Sequence, residues 1–114
     1  GEPTWDDRLG QHALLLYLRR YLEISEALTA AAHWRGDRFL AYAGGGSGAR
    51  GSAHWHIVTA SAEAAKSLQA ALRTALLQHY GLPEEVSFPH KTEDGRMVSV
   101  SVEKQTVLLT DEAS

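Results

Sequence analysis

The sequence predicts an α+β fold, an antiparallel sheet of about five strands with helices packed on one face, in the order ααββαβββ. Three observations predict it. Apolar residues recur at helical spacing along two stretches, one before Leu22 and one between Ser61 and Tyr80. Val98, Val100 and Val102 alternate with Met97, Ser99 and Ser101, the period of a half-buried strand. The links between successive strands are too short for crossovers, so neighbours pair antiparallel.

Trp5-Asp6-Asp7 supplies acidic N-caps, and Leu14, Leu18, Tyr21 and Leu22 form an apolar stripe, so a helix is predicted from Asp7 to Leu22. After a break, Ser25 caps an alanine-rich helix from Glu26 to Trp34, which Gly36 stops. Arg38–Ala43 reads as a strand on its aromatic residues Phe39 and Tyr42. Residues 44–52 read as a flexible glycine-rich hairpin loop, and Ala53–Thr59 as the strand that returns.

Ser61 then caps a third helix, whose apolar face runs Ala65, Leu68, Leu72, Leu76 and His79 or Tyr80. Gly81 ends that helix, with Pro83 just beyond. Glu85–His90, Met97–Val102 and Thr106–Thr110 complete the sheet. Turns at Glu93-Asp94-Gly95-Arg96 and Glu103-Lys104-Gln105 connect them.

Bulk properties exclude whole classes. At 114 residues and 44% hydrophobic content the chain makes one domain, residues 1–114, with a core of its own. A net charge of −3 leaves no electrostatic footprint for nucleic acid. Without cysteine there is no disulfide, thiolate nucleophile or cysteine metal site. The most apolar run, Ala13–Leu18, is too short to span a bilayer and lacks the preceding basic residues of a signal peptide. Because the chain begins at Gly1, it is expected to be a piece of a longer protein.

Gly46-Ser47-Gly48-Ala49-Arg50-Gly51 matches the dinucleotide pattern G-x-G-x-x-G. That pattern binds phosphate only where a helix N-terminus follows the loop. Here His54-Trp55-His56-Ile57-Val58 follows, which is strand-like, so the stretch is read as a connection. His54 and His56 lie two apart on a strand and share a face. Two imidazoles begin a zinc site that needs further ligands, and His33, His79 and His90 have no fixed spacing to them. The reading taken is that Trp55 and Ile57 point to the core and the histidines to solvent.

No catalytic residue is assigned and no cofactor is expected. Asp37-Arg38 reads as an ion pair, Glu84-Glu85 and Glu93-Asp94 as solvated acids, and Trp5, Trp34 and Trp55 as core anchors. Ser47, Ser52 and Ser61 lack the nucleophile elbow.

Two stretches, Ala27–Tyr42 (ALTAAAHWRGDRFLAY) and His54–Leu72 (HWHIVTASAEAAKSLQAAL), resemble the C-terminal region of a family of exported bacterial and haloarchaeal proteins. Its mark is an alanine-rich helix ending in Gly-Trp-x-Gly-Asp-Arg-aromatic, then a strand with Trp. Trp34, Gly36, Asp37, Arg38 and Phe39 fit the first part, and Trp55, Ser61, Glu63 and Ala64 fit the second. His33 stands where that family has glycine, and Thr59-Ala60 where it has Trp-Asp. Longer members look like metallopeptidases upstream. The resemblance therefore implies a non-catalytic companion domain of an exported protein, bound to its upstream domain or to a protein partner. The competing readings are a metal-dependent hydrolase using His54 and His56, and a small-ligand binder beneath the glycine loop. The motif itself reads as a folding corner, with Trp34 and Trp55 packed where helix meets sheet.

Overall fold

The alternating valines of the last third lie on the helix-covered side of a six-stranded sheet, Val98 and Val100 buried and Val102 half-buried. The computed structural model describes residues 2–44 and 51–113. Its elements are β1 (Trp5–Asp7), α1 (Gly10–Arg19), α2 (Ile24–Ala31), β2 (Trp34–Tyr42), β3 (Ser52–Thr59), α3 (Ala62–Tyr80), β4 (His90–Lys91), β5 (Arg96–Glu103) and β6 (Thr106–Ala113). The strands lie side by side as β1-β2-β3-β6-β5-β4, every pair antiparallel. The fold is α+β, as the sequence predicts. Most of the glycine-rich stretch, residues 45–50, lies outside the described residues.

Residues facing one another across antiparallel strands share a face. The row Asp37–Ile57–Val107–Val102 and the row Phe39–Trp55–Leu109–Val100 therefore lie on one side of the sheet. That side meets the helices. Leu14 and Leu18 of α1, Ala27 of α2, and Leu68 and Leu72 of α3 are fully buried against Ile57 and Val107. The opposite side carries Arg38, Leu40, His54, His56, Leu108 and Ser101, and no element among the described residues covers it. No helix among the described residues is long and apolar enough to cross a membrane.

Several boundaries move, each for a physical reason. Trp5-Asp6-Asp7 is a strand and not a helix start. Thr4 donates its N–H and its hydroxyl to the Ala41 carbonyl, and Asp6 pairs with Arg38. α1 begins only at Gly10, whose φ of 87° lies in the left-handed region that favours glycine. Its N-cap, Leu9, offers no side-chain acceptor. α2 starts at Ile24, so Ser25 lies inside it and Ser25 is not the cap.

Gly36 does not stop that helix. α2 ends at Ala31, and Trp34 to Asp37 already belong to β2, which shifts register against β3 between Trp34 and Gly36. Gly36 has no positive φ, and a Cβ there would meet nothing within 4 Å. Gly36→Ala is therefore expected to change stability by less than about 0.5 kcal/mol, as urea denaturation would show. A loss above 1 kcal/mol would restore a special role for that backbone.

α3 obeys its sequence signals. The Ser61 hydroxyl accepts from the Ala64 N–H at 3.0 Å, and Gly81 closes the helix with φ 63° and ψ 38°.

The expected strand Glu85–His90 shrinks to His90–Lys91. Pro89 has no N–H to give a ladder. Arg73 draws the preceding chain away by donating to the carbonyls of Glu84 and Val86, and its guanidinium lies 5.3 Å from the Phe88 ring centroid. Phe88 packs against the core from there.

Candidate functional site

The motif residues of the sequence converge on one carboxylate. Asp37 points from β2 to the helix-covered side and is only 8% exposed. Its Oδ1 accepts from the Gly10 N–H at 2.9 Å and the Trp34 indole at 3.0 Å. Its Oδ2 accepts from the Leu9 N–H at 2.8 Å and the Trp55 indole at 2.9 Å. Burial pushes the Asp37 pKa up, but the four donors, Leu9 and Trp55 foremost, outweigh it and hold the carboxyl below the ordinary aspartate range. Asp37 is thus the missing N-cap of α1, supplied across 27 residues of chain, and its charge faces the positive end of the helix dipole.

The remaining motif residues surround this hub. Arg38 faces the other side of the sheet and grips Asp6, Nε to Oδ1 at 3.0 Å and Nη2 to Oδ2 at 2.6 Å. The pair is well exposed, and its partner is Asp6 rather than the neighbouring Asp37. Phe39 stands edge-on to Trp55, with centroids 6.5 Å apart. Gly36 sits at the register shift of β2. Trp34 is half-buried and packs against the core, whereas Trp5 lies 58% exposed on β1, outside the core.

His54 and His56 do lie together on the open side of the sheet. His54 Nε2 is 2.8 Å from Glu112 Oε1, and its ring lies 5.3 Å from that of Tyr42. Burial, with His54 and Arg38 nearby, lowers the His56 pKa and keeps its imidazole neutral at pH 7. His90 pairs with Val98 and so faces the helices, and His79 ends α3 on that side too. The sheet therefore separates both from the His54–His56 pair. His33 lines a groove between α2 and α3. Among the described residues no three His, Asp or Glu side chains form a group able to hold a metal ion.

A third cluster joins residues that sequence spacing does not connect. Asp111 of β6 accepts from the Tyr80 hydroxyl on one oxygen and from Arg96 Nε on the other. Arg96 also donates to the Gly51 carbonyl at 2.7 Å, which ties the base of the β2–β3 hairpin to β5. The His79 ring stacks between Tyr80 and Tyr21, at 4.2 and 5.2 Å, and its Nδ1 is 3.3 Å from the Tyr17 hydroxyl.

Burial first, then the bond to Asp111, pushes the Tyr80 hydroxyl far above the ordinary phenol range, and burial does the same for Tyr17. Burial also lowers the His79 pKa, against the pull of Asp111. Both phenols therefore stay protonated at neutral pH; Tyr80 fastens the end of α3 to β6, and Tyr17 of α1 meets His79 of α3. The only sequence signal is that His79 or Tyr80 extends the apolar face of α3.

These geometries define a class. It is an α+β domain whose antiparallel sheet is backed on one side by three helices, the first of them capped by a buried carboxylate of β2, with the other side open. The model of the family described as Domain of unknown function (DUF8575) matches residues 2–114, and the chain belongs to that family. No curated protein and no solved structure matches the chain.

Proposed function

We propose that this protein is a non-catalytic accessory domain whose working surface is the open side of the sheet, docked against an upstream domain of the same polypeptide. The observation that carries the reading is the composition of that uncovered side. Leu40, Tyr42, Val58, Met97 and Leu108 lie among Arg38, His54 and His56 with no helix among the described residues over them. An antiparallel sheet tolerates one wet side, but that side normally alternates to polar residues. Five large apolar side chains on it suit a protein partner. Saturation of Asp37 supports the same reading, because the most acidic buried group of the motif has all its acceptor capacity taken up internally. The resemblance of Ala27–Tyr42 and His54–Leu72 supports an exported, extracytoplasmic parent.

The cysteine-free chain offers a direct test. Ser101 is exposed on the open side, so Ser101→Cys introduces a single thiol at the proposed surface. Its rate of reaction with a maleimide is compared between the isolated domain and the full reading frame. Slowing by at least about tenfold in the longer protein is expected, since a docked surface excludes the reagent. Equal rates would overturn the reading.

A further inference from the structure

A second surface follows from the premature end of β4. β5 is eight residues long, yet on its outer edge β4 pairs only with Met97 and Val98. Among the described residues no other strand continues along that edge. The alternation of an antiparallel ladder decides which groups lie bare. The Arg96 carbonyl accepts from the Thr92 N–H at 2.7 Å, and the Val100 carbonyl takes a long bond of 3.4 Å from the Gln69 side chain. Even-numbered residues of β5 therefore turn their N–H and C=O outward. Past Val98 those residues are Val100 and Val102.

The chain that should have continued β4 is held aside at Glu84 and Val86 by Arg73, which opens a groove of about 610 Å³. Val100 lies at its floor, with Lys66, Gln69 and Arg73 of α3 on one wall and Glu85 to Phe88 on the other. A strand edge beside a helix, with a groove between them, is the geometry of recognition by strand addition. An incoming residue opposite Val100 shares its face of the sheet and points at α3. There the fixed charges on the α3 wall are the cations of Lys66 and Arg73, with only Glu85 opposing them across the groove.

We propose that the outer edge of β5 at Val100–Val102 receives an extended polypeptide segment, antiparallel to β5 and carrying an acidic residue opposite Val100. Its backbone would take up the outward groups of Val100 and Val102, displacing the Gln69 amide, and its carboxylate would face Lys66 and Arg73. The proposal rests on the reading of the protein as an interaction domain but uses a different surface. A docked open side with no response at the β5 edge would end this proposal alone.

The test uses the folded chain and synthetic peptides. The probe is acetyl-Thr-Val-Glu-Val-Thr-amide. Its counterparts are the same peptide with Lys at the central position and one N-methylated at the central nitrogen. Amide hydrogen exchange is read by NMR. At ten times the dissociation constant of the Glu peptide, exchange at Val100 and Val102 should slow about tenfold. The Lys and N-methylated peptides should have little effect at that concentration, and Lys66→Glu should move the preference toward the Lys peptide. Absence of protection at these two amides, equal protection by the Glu and Lys peptides, or undiminished protection by the N-methylated peptide would overturn it.

Discussion

Asp37→Ala is expected to unfold the domain or leave it barely folded. The substitution strips acceptors from two indoles and two backbone N–H groups at once. Each donor left unmet in a buried setting costs about 1–3 kcal/mol. Water can reach the helix start, so the loss falls short of four full penalties, at roughly 4 kcal/mol against a total of about 5–15 kcal/mol. Asp37→Asn should be nearly as damaging, for a geometric reason. Both carboxylate oxygens accept from two donors, so either orientation of an amide turns its NH₂ against two N–H groups.

The pH dependence follows from the sign of the shift. The folded pKa of Asp37 lies below its ordinary value of 3.8, so its stabilisation is fully present above that value and fades as pH falls through the folded pKa. In urea titrations followed by tryptophan fluorescence, the gap between the parent and Asp37→Asn should be constant from pH 7 to 5 and narrow in more acid solution. A gap unchanged down to acid pH would show that the carboxylate charge contributes nothing.

Trp55 carries the second large effect. It is 6% exposed, packs edge-on to Phe39, and donates the only indole bond to Oδ2 of Asp37. Trp55→Ala removes both the ring and the donor and should cost about 3–5 kcal/mol. Trp55→Phe keeps most of the bulk and loses the hydrogen bond to a charged acceptor, for about 2 kcal/mol. The two variants therefore divide packing from hydrogen bonding. Equal losses in both would assign the whole effect to the indole N–H. Trp34, half-buried and bonded to the other oxygen, should respond in the same order with smaller losses.

Local signals were legible in the sequence and distant ones were not. Ser61, Gly81, the turn at Asp94-Gly95 and the alternating valines act through neighbours a few residues away. The third helix and the last hairpin accordingly lie where those residues put them. β1 has only three residues, too few for any period, and exists because Ala41 and Arg38 give it partners. The cap of α1 comes from Asp37, whereas the nearby acids that the sequence offers, Asp6 and Asp7, bind elsewhere. Gly36 departs from its expected role for a related reason. A glycine after an alanine helix is a good stop signal, but the strand had already begun at Trp34. The motif residues of the corner could be picked out as a group, while the convergence of two tryptophans on one aspartate needed three dimensions. The cluster at Asp111 had no sequence signature beyond His79 or Tyr80 at the end of the apolar face of α3, since its members Tyr17, His79, Arg96 and Asp111 lie on four different elements.

The order of the strands has a consequence for how the polypeptide is made. The seam between β3 and β6 joins Ala53 to Asp111 and Val58 to Thr106, in the middle of the sheet. On a ribosome, Ala113 is added more than fifty residues after the end of β3 at Thr59. At 5–20 residues per second that interval is roughly 3–11 s. Throughout it Trp55 and Ile57 have β2 on one side and no β6 on the other, so no nascent fragment can close the sheet. The domain can thus become native only after its final strand is free, which leaves one side of β3 open to chaperones until then.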